Sequence, residues 1–119
     1  MVTNMMSVDL EDYYCDLPFS EWENYENRVT KNTKLLLNLF EKYNVTATFF
    51  TLGYIAEKHP ELIEEIISKG HEISSHGYAH LDIRKITRKE FEEDFKKSLD
   101  ILYSITKEKI LGFRAPFFS

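Results

Sequence analysis

The sequence predicts an α/β fold in which strands and helices alternate in the order β-α-β-α-β-α-β. Short runs rich in β-branched and aromatic residues alternate along the 119 residues with segments of helical periodicity. This alternation favours parallel strands joined by right-handed crossovers. It is compatible with an open doubly wound sheet or with part of a barrel, and the length suits one domain over residues 1–119.

Four segments are predicted to be strands. The clearest is TATFFTLG at residues 46–53, whose composition is typical of a buried strand. The other three are shorter and span Met5–Asp9, Glu72–Ser75 and Ile110–Phe113. Residues 10–27 are acidic and aromatic without a regular period, which predicts a long loop.

Three helices are predicted between these strands. The first covers Asn27–Tyr43, where apolar residues recur on one stripe. Pro60 suits the first turn of the second helix, which Gly70 ends. The third opens at Thr87, because Thr87 and Glu90 have the spacing of a capping box.

Composition excludes several functional classes. A net charge of -5 argues against nucleic-acid binding, and no apolar run approaches the ~20 residues of a membrane span. The single Cys15 excludes an internal disulfide and a cysteine-rich zinc site. The N-terminus lacks the pattern of a signal peptide, so the default expectation is a cytoplasmic protein, with the cell envelope as the alternative for a chain whose leader has been removed. Nothing in the sequence indicates an oligomeric state.

Two histidines stand four residues apart in GHEISSHGYAH, at His76 and His80. On a helical turn this spacing places both rings on one face, and a loop could also bring them together. Two histidines and one carboxylate form a known zinc ligand set that leaves a position open for water. The alternative is a pair of unrelated surface histidines.

Three acids crowd the end of the first strand in SVDLEDYY, at Asp9, Glu11 and Asp12. Carboxylates this close repel one another unless a cation or an arginine lies among them. The alternative is a solvated loop whose acids cap a helix.

Arg114 follows the fourth predicted strand in GFRAPFFS. It is suited to fork onto a carboxylate and hold it ionised, and the alternative is a side chain that extends from the strand end into solvent. In parallel α/β folds, sites form at the carboxyl ends of strands. The acids, the histidines and Arg114 each follow a different strand, so we expect them on one rim.

The chain resembles the polysaccharide deacetylases of the NodB-homology group, carbohydrate esterase family four. The resemblance runs from about Met5 to Phe118. The block ATFFTLGYIAEKHPELIEEIISKGHEISSHGYAH is similar to the central block of that family, and FRAPFF to its R-x-P-aromatic motif. SVDLEDYY resembles the D-x-E version of its first acidic motif.

This resemblance implies the first half of a deformed (β/α) TIM-like barrel and the N-terminal part of a deacetylase catalytic domain. The later motifs of that family, including a histidine that acts as general acid, have no counterpart in these residues. We therefore expect this chain to bind metal but to turn over slowly by itself.

The resemblance also implies a metal site. His76 and His80 match the two metal-binding imidazoles, and Glu11 is the expected carboxylate ligand. Asp12 is the rival, because ordinary family members use adjacent acids. Zinc is the first expectation, and cobalt, nickel or manganese also suit such a ligand set.

The catalytic roles follow from the same resemblance. Asp9 matches the general base, Arg114 the arginine that orients it, and the Phe117 N–H the donor to the oxyanion. Gly77 is a departure, because many members carry Ser or Thr there and use its hydroxyl to brace the loop.

The implied function is metal-dependent removal of N-acetyl groups from an amino-sugar polymer such as peptidoglycan, a chitin-like glycan or an exopolysaccharide. Two alternatives stay open: a non-catalytic carbohydrate-binding or scaffold protein, and a hydrolase of small or cyclic amides. A receiver-like signalling domain is disfavoured, because no Asp stands at the tip of the third strand, which ends in SSHGYAH.

Overall fold

The predicted α/β architecture is confirmed. The computed structural model describes residues 1–119, with three strands and four α-helices. Their bounds are β1 Ser7–Leu10, α1 Val29–Lys42, β2 Thr48–Thr51, α2 Gly53–Lys58, α3 Pro60–Ser68, β3 Glu72–Ser75 and α4 Arg88–Thr106.

The three strands form one parallel sheet in the order β1-β2-β3. Asp9 is in register with Phe50, and Phe50 with Ser74. All three strands therefore end at the same edge of the sheet, as the predicted rim requires.

The predicted fourth strand at Ile110–Phe113 is wrong. Only Phe113 forms a bridge to the sheet, opposite Ser75. The Ser75 N–H donates to the Gly112 carbonyl and the Arg114 N–H to the Ser75 carbonyl, each at 2.9 Å. Gly112 lies so close to β3 that a Cβ there would be 2.5 Å from the Ser74 Oγ. Glycine has no side chain to pack against the neighbouring strand and so weakens strand pairing. The segment therefore pairs with β3 only at Phe113.

The short helix α2 is an addition to the predicted elements, because the composition of TATFFTLG predicts a strand that extends to Gly53. The strand ends at Thr51, and the chain turns directly into the helix. Gly53 allows α2 to pack this closely because it has no Cβ. A Cβ at this position would lie only 3.0 Å from the Ser98 Cα and 2.9 Å from the Tyr78 ring. α2 is thereby packed tightly against α4.

The hydrophobic core lies between one face of the sheet and the helices. Leu10, Phe49 and Ile73 point to this side, where they join Leu37 of α1 and Ile66 of α3 in one buried cluster. Alternate residues of a strand point to opposite faces. The other face therefore carries the polar side chains that lead towards the rim.

The predicted apolar stripe of α1 is partly correct. Val29 and Phe40 are buried, together with Thr33 and Leu37, but Tyr43 is 64% exposed. Tyr43 caps the end of the helix and lies beyond the last turn that faces the sheet.

The aromatic loop before α1 is better ordered than predicted. It contains a 3₁₀ helix at Phe19–Asn24, whose Trp22 is buried and donates its indole N–H to the Leu17 carbonyl at 2.9 Å. Tyr14 is also buried, so both rings belong to the core.

The capping box at the start of α4 is confirmed. Thr87 Oγ1 accepts the Glu90 N–H, and the Glu90 carboxylate accepts the Thr87 N–H. α4 is the longest helix, and no helix in the structure has the length and apolar character needed to traverse a bilayer.

His71 ties α3 to the sheet, and we predict that it makes stability depend on pH. Its Nδ1 accepts the Ala47 N–H at 3.1 Å, and its ring is buried against Phe40 and Phe49. Burial, with a smaller effect of Lys69, lowers the pKa of His71 below its ordinary value. The neutral ring therefore stabilises the fold fully above about pH 6.5, and this contribution is lost as the pH falls through the folded-state pKa.

The measurement is urea unfolding of the metal-free protein between about pH 7 and about pH 5. His71→Asn keeps a hydrogen-bond acceptor but does not titrate, so the free energy of unfolding should fall less with acid than in the wild type. His59→Asn is the matched control and should retain the wild-type slope. An unchanged slope in His71→Asn would contradict the prediction.

Candidate active site

The carboxyl ends of the strands bring the predicted site residues together. Asp9 belongs to β1, and Glu11 follows it on the same side of the extended chain. His76 follows β3 directly, and Arg114 lies beside the end of β3. His80 completes the group from the loop after β3, so the pair of histidines lies on a loop and not on a helical turn.

Glu11, His76 and His80 form a compact group of possible ligands. One donor atom from each lies within 4.8 Å of the other two. Glu11 Oε2 is 3.0 Å from His80 Nε2 and 3.5 Å from His76 Nε2. Both imidazoles thus present the same ring nitrogen to one carboxylate oxygen.

His76 is held on both sides by backbone groups. Its N–H donates to the Thr51 carbonyl at 3.0 Å, and its ring Nδ1 lies 2.7 Å from the Arg114 carbonyl. A carbonyl can only accept, so Nδ1 carries a proton, and Nε2 is the ring nitrogen that faces Glu11. Ring orientation by such a hydrogen bond is typical of metal-binding histidines.

His80 is held by packing and by an unusual backbone conformation. Its φ is +53°, in the left-handed region that few residues other than glycine adopt. Its ring packs on the Phe117 ring with 4.5 Å between centroids. Its Nδ1 is buried without a hydrogen-bond partner and lies 3.5 Å from an oxygen of Asp16.

Glu11 is ionised in this environment. Burial raises the pKa of Glu11, but the His76 and His80 imidazoles outweigh burial and lower it to about 2. The carboxylate therefore carries a full negative charge across the ordinary pH range.

The donor set fits a divalent cation. Glu11 Oε2 is buried and makes no hydrogen bond, although it faces two imidazole nitrogens. An unsatisfied buried carboxylate oxygen is rare in a folded protein and requires a physical explanation. A cation among these three atoms would satisfy it, and two histidines with one carboxylate are ligands that zinc commonly has.

Asp9 lies beside this group but pairs with Arg114. The Arg114 Nη1 donates to Asp9 Oδ1 at 2.7 Å, and Nη2 donates to the Ser7 hydroxyl at 2.9 Å. The guanidinium also stacks over the Phe50 ring at 4.1 Å. The second oxygen of Asp9 is 3.9 Å from His76 Nε2, which leaves it directed towards the cluster.

Phe117 lies next to the same cluster in a left-handed conformation, with φ of +57°. Its N–H donates no backbone hydrogen bond, whereas those of Phe118 and Ser119 donate to the Ala115 and Pro116 carbonyls. The Phe117 N–H is therefore free to bind another acceptor.

Asp12 lies outside the group of possible ligands. Its Oδ2 accepts the N–H groups of Arg28 and Val29 at 2.8 and 2.9 Å, at the start of α1, and Oδ1 accepts the Tyr13 N–H. The carboxylate thus satisfies helix donors that would otherwise lack partners. This is the helix-capping arrangement that the sequence left open for the acids.

Comparison with known proteins identifies the family. The sequence profile of the family described as polysaccharide deacetylase matches residues 19–119. The chain belongs to the polysaccharide deacetylase family. The matched range includes both histidines and Arg114, whereas the acids at Asp9 and Glu11 precede it.

Individual deacetylases agree with this assignment. The chain is 35% identical to the peptidoglycan deacetylase of Helicobacter pylori over 82 residues, which cover 69% of this chain and 28% of that protein. It is 31% identical to the peptidoglycan-N-acetylmuramic acid deacetylase PdaA of Bacillus subtilis over 93 residues, or 77% of this chain and 34% of that protein. The chain therefore spans about a third or less of the length of these curated relatives.

The same fold occurs in solved structures. A Mycobacterium smegmatis protein assigned to the polysaccharide deacetylases superposes with a TM-score of 0.81 and 25% identity over 97% of this chain and 43% of that chain. The three parallel strands and their helices thus correspond to part of the deformed barrel of this family.

Two contacts in the site of this deacetylase-family chain are not evident from its sequence. One is the Arg114 carbonyl, which orients His76, and the other is Asp16, which lies beside His80. A backbone carbonyl leaves no signal in a sequence. Asp16 lies in an acidic loop with nothing to distinguish it from its neighbours.

We predict that Asp12→Ala destabilises the fold by about 1–3 kcal/mol, because two N–H groups at the start of α1 lose their acceptor. The measurement is urea unfolding of the metal-free protein. Asp16→Ala is the matched control, since the Asp16 side chain is 71% exposed, and it should change stability far less. Equal effects of the two substitutions would contradict the role assigned to Asp12.

Proposed function

We propose that Glu11, His76 and His80 bind one divalent cation and that the site hydrolyses N-acetyl groups of an amino-sugar polymer. One observation carries the proposal: the unbonded Glu11 Oε2 faces both imidazole Nε2 atoms, at 3.0 and 3.5 Å. Family membership supports the reaction class. Zinc is the proposed cation, and cobalt, nickel or manganese are alternatives for the same ligands.

A cation bound by these three residues would lower the pKa of a water ligand and polarise an amide carbonyl. Asp9 is proposed to remove the proton from the attacking water, since its second oxygen points towards the cluster. The Arg114 guanidinium fixes the orientation of Asp9 through the 2.7 Å hydrogen bond.

The Phe117 N–H is proposed to stabilise the negative charge that develops on the carbonyl oxygen. This N–H donates no backbone hydrogen bond, and the Phe117 ring rests on a proposed ligand, His80. A preorganised donor close to the reacting carbonyl stabilises the transition state more than the ground state.

The proposed substrate is an N-acetylated glycan, with peptidoglycan favoured. The relatives from Helicobacter pylori and Bacillus subtilis are both named as peptidoglycan deacetylases. Peptidoglycan lies in the cell envelope, so this substrate places the proposed activity there.

We expect the chain to bind one zinc ion, measured by calorimetry with a competing chelator. Glu11→Ala, His76→Ala and His80→Ala should each weaken the zinc Kd by more than about 100-fold, above the effect of a partner that only orients a ligand. Asp12→Ala should keep the wild-type Kd, because its carboxylate binds the start of α1. Loss of zinc binding in Asp12→Ala but not in Glu11→Ala would contradict the proposed ligand set.

We expect zinc-dependent acetate release from peptidoglycan fragments, and Asp9→Asn should reduce the rate by about 10²–10⁴-fold. The amide has nearly the shape of the carboxylate but cannot accept the proton, so the zinc Kd should stay close to that of the wild type. Asp100→Asn, on the exposed side of α4, is the control and should retain the wild-type rate. Equal rates in Asp9→Asn and wild type would overturn the role of Asp9. Zinc binding without any acetate release would instead favour a non-catalytic protein.

A further inference from the structure

The loop between the two histidines makes an unusual contact with α4. The N–H groups of Tyr78 and Ala79 both donate to the carboxylate of Asp94, at 2.9 Å to Oδ2 and 3.0 Å to Oδ1. Asp94 lies in the second turn of α4 and makes no ion pair, so these two N–H groups are its hydrogen-bond partners. A carboxylate that accepts two backbone N–H groups holds them more firmly than a neutral acceptor would.

The other side of the loop is held by α2. The Gly53 N–H donates to the Gly77 carbonyl at 2.8 Å, and the Tyr54 N–H donates to the Tyr78 carbonyl at 3.2 Å. The loop thus lies between the first N–H groups of α2 and one carboxylate of α4. The Gly77 N–H donates to the Ser75 hydroxyl at 3.1 Å, and the Asp94 carboxylate is the acceptor for the next two N–H groups of the loop.

Gly77 makes the contact with Asp94 possible. A Cβ at this position would lie 2.8 Å from Asp94 Oδ2, closer than any ordinary contact. Gly77 also has a φ of +77°, which disfavours other residues. A side chain at position 77 and a carboxylate bound to the loop at position 94 therefore compete for the same space.

We propose that Asp94 is a positioning residue that fixes the spacing of His76 and His80 by clamping the loop between them. The inference rests on the metal site proposed above. Asp94 acts through the loop backbone, by accepting the N–H groups of Tyr78 and Ala79. Gly77 and Asp94 form one unit, in which the absence of a side chain on one residue allows the approach of the other.

The first test compares Asp94→Ala and Asp94→Asn with the exposed Asp100→Asn of the same helix. Asp94→Ala should weaken the zinc Kd by about 10–100-fold, the range typical of residues that orient metal ligands. Asp94→Asn should be intermediate, because an amide oxygen can accept one N–H while its NH₂ group opposes the other. Asp100→Asn should keep the wild-type Kd.

The second readout is the visible absorption spectrum of each variant saturated with cobalt, which reports the geometry around the metal. Both Asp94 variants should show altered cobalt absorption bands. Their circular dichroism spectra should equal that of the wild type, which shows that the fold is kept. If Asp94→Ala does not fold, the isosteric Asp94→Asn decides the question alone. Wild-type bands and a wild-type zinc Kd in Asp94→Asn would overturn the clamp.

A double-mutant cycle tests whether the two residues act as a unit. Gly77→Ala should weaken zinc binding more in the wild type than in the Asp94→Ala background, because the collision with the carboxylate is then absent. The strain from the positive φ is common to both backgrounds and cancels. Equal effects in both would overturn the coupling. Failure of the wild type to bind zinc would reject the proposed metal site, whereas normal binding by the wild type and by all Asp94 variants would reject only the clamp.

Discussion

The whole site depends on the single point at which residues 112–114 meet the end of β3. The two hydrogen bonds between Ser75 and the residues on either side of Phe113 fix the backbone of Arg114. From this one position, the Arg114 carbonyl orients the His76 ring and its guanidinium holds Asp9. A proposed metal ligand and the proposed base are therefore positioned by the same residue, so a shift of this segment would disturb both.

The three acids at the end of β1 avoid mutual repulsion because each has a different partner. Asp9 pairs with a guanidinium, Glu11 faces two imidazoles, and Asp12 accepts N–H groups at the start of α1. Alternation along the extended chain directs Asp9 and Glu11 to one side and Asp12 to the other. A crowded acidic motif is thereby divided between a proposed chemical role and a structural one.

Local patterns in the sequence predicted much of the fold, and contacts between distant segments account for what they missed. The bounds of β3 and the capping box of Thr87 depend on neighbouring residues, and both were predicted correctly. The extra helix α2 depends on Gly53 fitting against Ser98, and the shortened strand depends on Gly112 fitting against Ser74. For the site, parallel topology placed the acids and histidines on one rim, but it could not separate Glu11 from Asp12.

The left-handed backbone of Phe117 has an evolutionary consequence. Glycine would adopt this conformation without strain, and replacing strained residues is a common route to a more robust protein. Here glycine would also delete the ring that supports His80. Selection for thermal stability and selection for a well-ordered imidazole therefore favour different residues at this position. An aromatic residue kept there in descendants would indicate that the order of the imidazole outweighs thermal stability.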